Sequence, residues 1–486
     1  MMDPLIATAL DTARARGAEY ADIRLVSNRE QRIVVRNGVV ETMTADESVG
    51  LGIRAVYRGA WGFASTRELT NEAADQAAGQ AVQIARASAS HNGSGQTAAE
   101  LLGSAVSSRG SYTTPISVDP FTVPLEYKLA LLLEADRAMA AVSQVTARMA
   151  NVVFIREERT FANTEGALVT QTIYEAGGGV QATAVGNGET QRRSYPQSHG
   201  RQQGCAGWEY VVAMDLPGNA RRTAEEAAEL LTAEPCPLNI STDLIIDSSQ
   251  LALQIHESCG HAVELDRALG DEAAFAGTSF LTPDLLHDFR YGSEQVNITA
   301  DSTSVTGLGT FGWDDEGLPA QATDIIRNGQ FVGYLMSRES ATRLGMPSNG
   351  CMRASSWNRI PLIRMTNVSL EPGEWTLDDL IADTDDGIFL ETNRSWSIDD
   401  RRYNFQFGTE VGREIKNGKL GRLLRNCTYT GITPEFWRSC DAVCGPQHWQ
   451  LWGTPRCGKG QPGQIAHTSH GASPSRFRNV RVGVIR

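Results

Sequence analysis

The hexapeptide His256-Glu257-Ser258-Cys259-Gly260-His261 contains the residue types that a catalytic metal site requires. Two imidazoles can bind a transition metal, and an adjacent carboxylate can accept a proton, as in zinc hydrolases. The histidines are five positions apart, which places them roughly 140° apart on a regular α-helix, so they could not share one face. The helix must therefore distort, and Gly260 is the position that permits it. The alternatives are a buried histidine pair without metal and a Glu257 carboxylate that is only structural.

A catalytic zinc takes three protein ligands and keeps one position open, so a third donor must come from elsewhere. Cys457 lies in the Gly-rich segment 456–463, which is predicted to be a loop able to approach a metal closely. Lys459 would favour the thiolate form of this cysteine. An inert thiol is the alternative. Three histidines near Cys457 in the sequence are candidates for stabilising an oxyanion: His448, His467 and His470.

The elements that must position these residues divide the chain at Pro235 and Pro237. The predicted N-terminal domain, residues 1–235, mixes alternating strand patterns with helices. Segment 92–111 is rich in Gly and Ser and is predicted to be a loop. The domain therefore has an α+β pattern. Its predicted helices cover residues 3–16, 71–87, 125–145 and 220–232.

The predicted C-terminal domain, residues 236–486, opens with the apolar strand 242–247. Ser248 or Ser249 is expected to cap the following helix, 250–264, which carries the hexapeptide. Short strands separated by turns such as Asn328-Gly329 follow for nearly 200 residues. This pattern predicts a mainly β, barrel-like domain that carries one metal-binding helix, so that the whole chain is α+β.

The composition and charge of the chain argue against several classes of protein. The chain has 486 residues, and 44 Lys+Arg against 57 Asp+Glu give a formal charge of −13, which disfavours nucleic-acid binding. The arginines in the terminal segment are interpreted as a solvated strand face: Arg476, Arg478, Arg481 and Arg486. Eight scattered cysteines do not indicate a disulfide scaffold. No secretory signal or membrane segment is evident, so a cytoplasmic location is expected.

The run His256–Glu264 resembles the H-E-x-x-G-H helix of the TldD/PmbA metallopeptidases, also called modulators of DNA gyrase. Segments further along the chain are similar to other signatures of this family in the same order. The resemblance covers most of the C-terminal half and, more loosely, the N-terminal half. These segments are Asp314–Pro319, Asn328–Tyr334, Arg364–Asn367, Cys457–Gly463 and His470–Gly483.

The resemblance implies a zinc-bearing subunit of the TldD type, because every expected motif position is kept. His256, His261 and Cys457 are then the zinc ligands, and Glu257 is the general base that activates a water on the metal. The family implies cleavage of flexible or unfolded peptides. It also implies assembly as a homodimer, or as a heterodimer with a metal-free paralogue. A strand edge near Arg353–Trp357 would hold the extended peptide by its backbone.

Two functions compete with the peptidase. A partner subunit could bind peptides without cutting them, although such a module needs no general base at Glu257. A zinc hydrolase of non-peptide amides would share the ligands and differ only in its pocket. The dependence of cleavage on peptide length distinguishes this second alternative from a peptidase.

Overall fold

The computed structural model describes residues 3–275, 277–460 and 463–483. The first half of the chain forms an eight-stranded sheet with the order β3-β2-β1-β5-β6-β4, and β7 and β8 also pair with β6. Its strands are β1 (Tyr20–Arg36), β2 (Val39–Tyr57), β3 (Ala60–Thr66), β4 (Arg109–Thr113), β5 (Val145–Asn163), β6 (Leu168–Gly186), β7 (Glu189–Tyr195) and β8 (Gln202–Gly204). Its helices are α1 (Pro4–Ala15), α2 (Asn71–Asn92), α3 (Ala98–Leu102), α4 (Leu125–Ala140), α5 (Trp208–Ala213) and α6 (Leu216–Glu229).

Two apolar cores lie between this sheet and its helices. One joins α1 and α2 to β1, β2 and β3. The other joins α4 and α6 to β5 and β6. Both α1 and α2 begin at residues whose side chains accept backbone N–H bonds, Asp3 and Thr70, as such caps do. The helices thus stabilise the sheet by packing against it, and the long strands β1, β5 and β6 contact the second half of the chain.

The second half contains a closed barrel. Five strands pair in the order β17-β10-β24-β20-β18, and β18 pairs again with β17, which closes the ring. The strands of this half are β9 (Glu234–Pro235), β10 (Ile240–Ile246), β11 (Ile298–Asp301), β12 (Ala322–Arg327), β13 (Gln330–Phe331), β14 (Met352–Arg353), β15 (Leu362–Ile363), β16 (Val368–Leu370), β17 (Asp386–Ile398), β18 (Asn404–Lys416), β19 (Lys419–Arg425), β20 (Thr428–Ile432), β21 (Cys440–Val443), β22 (Gln450–Lys459), β23 (Gln464–Ala472) and β24 (Ser475–Val482). Its helices are α7 (Ser248–Ile255), α8 (Leu265–Leu269), α9 (Arg338–Arg343), α10 (Leu377–Ala382) and α11 (Thr433–Arg438).

The predicted fold class, α+β with a barrel-like β region in the second half, is confirmed. Among the described residues no helix is both long enough and apolar enough to cross a bilayer. The boundary between residues 235 and 236 stays a prediction.

Several local predictions were wrong. Segment 92–111 is not all loop, because Thr97 and Glu100 form a capping box that starts α3. The helix after β10 is capped by Asp247 rather than by a serine, since its carboxylate accepts two backbone N–H bonds. Arg476 is buried and paired with Asp441 rather than solvated, and Arg486 lies outside the described residues.

The predicted peptide-binding edge at 353–357 is also largely absent. Only Met352–Arg353 is a strand, and it already pairs with Leu362–Ile363. Trp357 instead packs against the first half of the chain, where its ring occupies the space beside Gly50. A side chain at Gly50 would lie 2.4 Å from that ring, so the segment anchors the two halves together.

Buried ion pairs also join the halves. The carboxylate of Asp315, in the second half, lies 2.5 Å from Arg159 Nη1 of β5 and 3.6 Å from Arg24 Nη1 of β1. The Asp315 side chain is fully buried, and it also accepts the backbone N–H of Ala354. The segment Asp314–Pro319, noted above as a motif, therefore has a structural function at this junction.

Replacing Asp315 by Ala is expected to destabilise the protein by about 3–5 kcal/mol, because Arg24 would stay buried without a counter-ion and Arg159 would keep only Glu157. The free energy of unfolding, measured by urea denaturation with circular dichroism, checks this. Asp386→Ala is the matched control, since its pair with Lys416 is more than half exposed and should contribute at most about 1 kcal/mol. Equal losses in the two variants would contradict the importance of this junction.

Candidate metal centre

The helix that carries the hexapeptide changes its winding at the first histidine. After α7, residues His256–Gly260 form a π-helical turn, and the N–H of His261 donates to the carbonyl of His256 at 3.1 Å. A turn with this i→i+5 pairing brings residues five apart onto one face. The two imidazole rings consequently lie 4.8 Å apart between centroids, so the predicted distortion is confirmed.

Gly260 packs closely against Met365 in this turn. A Cβ at this position would lie 2.2 Å from the sulfur of Met365, so the buried methionine side chain would have to move. Hydrogen bonds with residues of α7 and α11 fix the turn further. Ser258 Oγ donates to the carbonyl of Gln254 and accepts a bond from Trp437 Nε1. Both histidines are thereby held on a buried and rigid segment.

Cys457 lies on the strand β22, so the predicted loop was wrong. This strand pairs with β23, and its register shifts between Thr454 and Cys457. The pairing brings the thiol next to the helix turn, with its Sγ 3.5 Å from His261 Nε2. Donor atoms of His256, His261 and Cys457 all lie within 4.8 Å of one another, and all three residues are buried.

The second ring nitrogen of each histidine is hydrogen-bonded, which fixes the tautomer. His470 Nδ1 must donate to the carbonyl of Val368 at 2.7 Å, so its Nε2 accepts a hydrogen bond from the Nδ1–H of His256, also at 2.7 Å. His261 Nδ1 donates to the Glu264 carboxylate at 2.9 Å. The Nε2 atoms of His256 and His261 are therefore unprotonated, as metal-binding histidines require.

Burial and charge favour the ligand forms of these groups. Burial lowers the pKa of His256 and of His261, which keeps both imidazoles neutral. Burial alone would raise the pKa of Cys457, but His261 and Arg364 lower it below the ordinary thiol value. Because His261 is neutral, the fixed charge of Arg364, which donates to the Cys457 carbonyl, is the cause that persists at neutral pH.

The donor set fits zinc. For tetrahedral zinc with Zn–S about 2.3 Å and Zn–N about 2.0–2.1 Å, a sulfur and a nitrogen ligand lie about 3.6 Å apart. The observed Sγ–Nε2 separation of 3.5 Å matches this distance. Two imidazoles and one thiolate are also ligands that zinc prefers, and three protein donors leave a fourth position open.

Glu257 follows the first ligand and lines the cleft beside it. Arg402 Nη1 donates to Glu257 Oε2 at 2.8 Å, and the pair is largely shielded from solvent. Arg402 sits in a loop with φ +65°, a left-handed conformation that turns its side chain back towards the helix. The sequence reasoning missed this residue, because no motif links position 402 to position 257.

The cleft that contains His256 and Glu257 has a volume of about 80 Å³. Its far wall comes from the first half of the chain, from residues 197–201 between β7 and β8. Among these, His199 and Arg201 were not predicted as site residues. Their contribution depends on how the two halves pack, which no local sequence signal gives.

Other predicted site residues lie elsewhere. Lys459 Nζ bonds to Asp266 of α8 and to the Ile363 carbonyl of β15, both at 2.7 Å, and lies 3.4 Å from the Glu264 carboxylate. His448 accepts the N–H of Leu377. His467 pairs with Glu175 at 2.7 Å in a cavity between the halves, and His470 supports His256 from behind. Within the described residues, none of these three histidines lines the cleft.

Comparison with known families agrees with this architecture. The chain matches the PmbA/TldA metallopeptidase domain 1 over residues 21–85, the central domain over residues 118–233 and the C-terminal domain over residues 240–483. A curated metalloprotease of Methanothermobacter thermautotrophicus is 30% identical over 465 residues, which are 96% of this chain and 95% of the relative. The chain therefore belongs to the PmbA/TldD family of metallopeptidases.

Other relatives extend the comparison. A protein of Saccharolobus solfataricus named zinc metalloprotease TldD homolog is 24% identical over 49% of this chain and 51% of its own length. The crystal structure of TldE from Thermococcus kodakarensis has a TM-score of 0.72 and 16% identity, covering 99% of this chain and all of that chain. A Thermotoga maritima structure, named for modulation of a DNA gyrase, gives a TM-score of 0.77 at 16% identity over 98% and 99% of the two chains. These structures share the fold.

Proposed function

We propose that this chain is a zinc-dependent peptidase that hydrolyses flexible or unfolded peptides. The observation that carries the proposal is the buried cluster of His256, His261 and Cys457 donors, with the Glu257 carboxylate next to it in a cleft. The curated relatives named metalloprotease, and the one named zinc metalloprotease, support this assignment.

In this proposal His256, His261 and Cys457 hold the zinc. When bound, the ion would supply a Lewis acid and lower the pKa of a coordinated water. Glu257 accepts the proton that is released and passes it to the leaving amine. Arg402 holds the Glu257 carboxylate in position, while His470 and Glu264 fix the two imidazoles.

We further infer an assembly of two subunits, either two copies of this chain or this chain with a metal-free paralogue. The likeness to TldE supports the second arrangement, because TldE shares the fold along the whole chain. The narrow cleft favours extended, flexible substrates, since its 80 Å³ leaves no room for a folded surface to reach Glu257.

Metal removal and replacement test the function. Cleavage of a reduced and carboxymethylated protein should disappear after chelation and return with about one zinc per chain, but not with Mg²⁺. Circular dichroism should change little on chelation, since two cores of this size do not depend on the metal. A short chromogenic amide should stay uncut.

Three results would overturn the proposal. Cleavage that persists in metal-free protein would exclude a zinc mechanism. Zinc-loaded protein that binds the unfolded substrate without cutting it would identify a peptide-binding partner subunit instead. Cleavage of the short amide alone would point to a non-peptide amide hydrolase.

A further inference from the structure

An arginine-rich groove adjoins the metal cleft. The groove has a volume of about 660 Å³, and five arginines and one histidine line it. Within the described part of the chain, no Asp or Glu is among its lining residues. The arginines are Arg32, Arg36, Arg192, Arg201 and Arg394, and the histidine is His199.

This concentration of positive charge contrasts with the whole protein, whose formal charge is −13. Arginines gathered on one wall repel one another, so the arrangement costs free energy unless an anion is present. Some of the charges have partners. Arg36 pairs with Glu41 and Arg192 with Glu410, and Arg394 bonds to the amide oxygens of Gln191 and Asn426.

Arg32 and Arg201 differ from the others. Neither makes an ion pair or a side-chain hydrogen bond with any residue that the structure describes. Burial and three neighbouring cations, Arg456, Arg32 and Arg192, lower the pKa of Arg201. The pKa of His199 is likewise lowered to about 4 by burial and by Arg201 and Arg192, so this ring is neutral. The unbalanced charge is thus centred on Arg201.

The position of Arg201 connects the groove to the site. It lines the groove, the metal cleft and the cavity of about 580 Å³ between the two halves. The groove and the cleft also share Trp396, whose side chain is 48% exposed and offers an apolar surface beside the charges. A chain extended through the cleft past Glu257 would therefore meet Arg201 and Trp396.

We propose that this groove binds carboxylate groups of the peptide substrate, so that the enzyme prefers acidic peptides or peptides with a free C-terminus at this side of the cleft. The guanidinium group suits this ligand because its planar donors match a carboxylate. This proposal rests on the proposed peptidase function for the identity of its ligand. A nucleic acid would also bring negative charge, but the acidic chain as a whole would repel a long polyanion.

Binding measured without turnover tests the groove. Zinc-loaded Glu257→Gln protein would be titrated against labelled eight-residue peptides of matched apolar content: acidic and amidated, neutral with a free C-terminus, neutral and amidated, and basic. Fluorescence anisotropy should show the acidic peptide binding about tenfold or more tightly than the neutral amidated one. The preference should weaken as salt rises from 50 to 500 mM.

Variants locate the effect. Adding Arg32→Gln and Arg201→Gln to this protein should remove most of the preference, because these two arginines carry the unpaired positive charge of the groove. The fold should be kept, because neither arginine has a carboxylate partner within the described residues that would lose its ion pair. Arg67→Gln is the matched control, since Arg67 is exposed in the bend that follows β3 and lies outside the groove. Tight binding of the neutral peptide with a free C-terminus would identify the chain end as the carboxylate. Tight binding of only the acidic peptide would identify side chains.

Three results would overturn the groove assignment. These are equal binding of acidic and neutral amidated peptides, an unchanged preference in the double variant, and tighter binding of a labelled single-stranded oligonucleotide than of any peptide. Loss of a dimer in the double variant, seen by sedimentation, would also overturn it by making the groove a subunit interface. Cleavage without a charge preference would contradict the carboxylate-binding groove and support the peptidase function. Charge-dependent binding without cleavage by the parent protein would support the groove and contradict the peptidase function.

Discussion

Replacing Glu257 by glutamine is expected to lower kcat for peptide cleavage by about 10²–10⁴-fold while the chain keeps its zinc. Glutamine has nearly the same shape as glutamate and can still accept the bond from Arg402. It cannot take up a proton, however, so the donor cluster stays intact while the proton acceptor is lost. Steady-state rates on an unfolded substrate, together with zinc analysis of the same samples, measure the two effects separately.

The control for this variant is Glu374→Gln, which makes the same change at an exposed carboxylate outside the cleft and should leave kcat unchanged. The mechanism fails if Glu257→Gln retains full activity with normal zinc. It also fails if the variant loses zinc and activity together, because Glu257 would then support the metal rather than accept a proton.

Arg402 fixes the orientation of the Glu257 carboxylate. A carboxylate that is free to rotate would spend little time directed at the reacting atoms, whereas the 2.8 Å bond from Arg402 holds it in one position. Arg402 lies in the loop between the barrel strands β17 and β18, and its side chain is mostly buried. The general base is therefore positioned by the barrel, and not by the helix alone.

The sequence predicted the parts of this site that depend on local geometry. Five-residue spacing of the histidines is incompatible with a regular helix, so a distortion had to occur, and Gly260 marked its place. The π-helical turn is the form it takes. The apolar strand before it and the cap at its start are also local features, although the cap is Asp247 rather than a serine.

Features that depend on the register of distant strands could not be predicted from local patterns. Cys457 was expected on a loop because glycines follow it, but pairing with Ala466 extends the strand through it. His470 was considered only for an oxyanion, yet its place on β23 puts it behind His256. Side chains of successive residues in a strand point to opposite faces of the sheet, so residues close to Cys457 in the sequence need not lie close to the cleft.

The contribution of the first half of the chain to the cleft could also not be predicted from the sequence. Arg201 reaches the metal side only because the strand pairing of β8 with β6 and the buried Asp315 pairs hold the two halves in one arrangement. No single motif encodes such an arrangement. The same packing creates the arginine-rich groove, which composition alone, with a charge of −13, would not suggest.

Replacing Cys457 by alanine is expected to lower zinc affinity by about two orders of magnitude or more and to abolish cleavage with it. The thiolate is the single charged donor of the three, and without it two neutral imidazoles must hold a divalent cation. Zinc per chain in protein purified without added metal, and competition with a chelator of known affinity, measure the loss.

Cys444→Ala is the matched control for this variant. Its thiol is also buried, and burial raises its pKa to about 12, but it lies in a separate apolar cluster with Trp375 and Leu377 and touches none of the donors. It should keep about one zinc per chain. Unchanged zinc in Cys457→Ala would place the third ligand elsewhere. Loss of zinc with an intact fold would show that the helix turn and strand β22 form one metal site, although 196 positions separate His261 from Cys457 in the sequence.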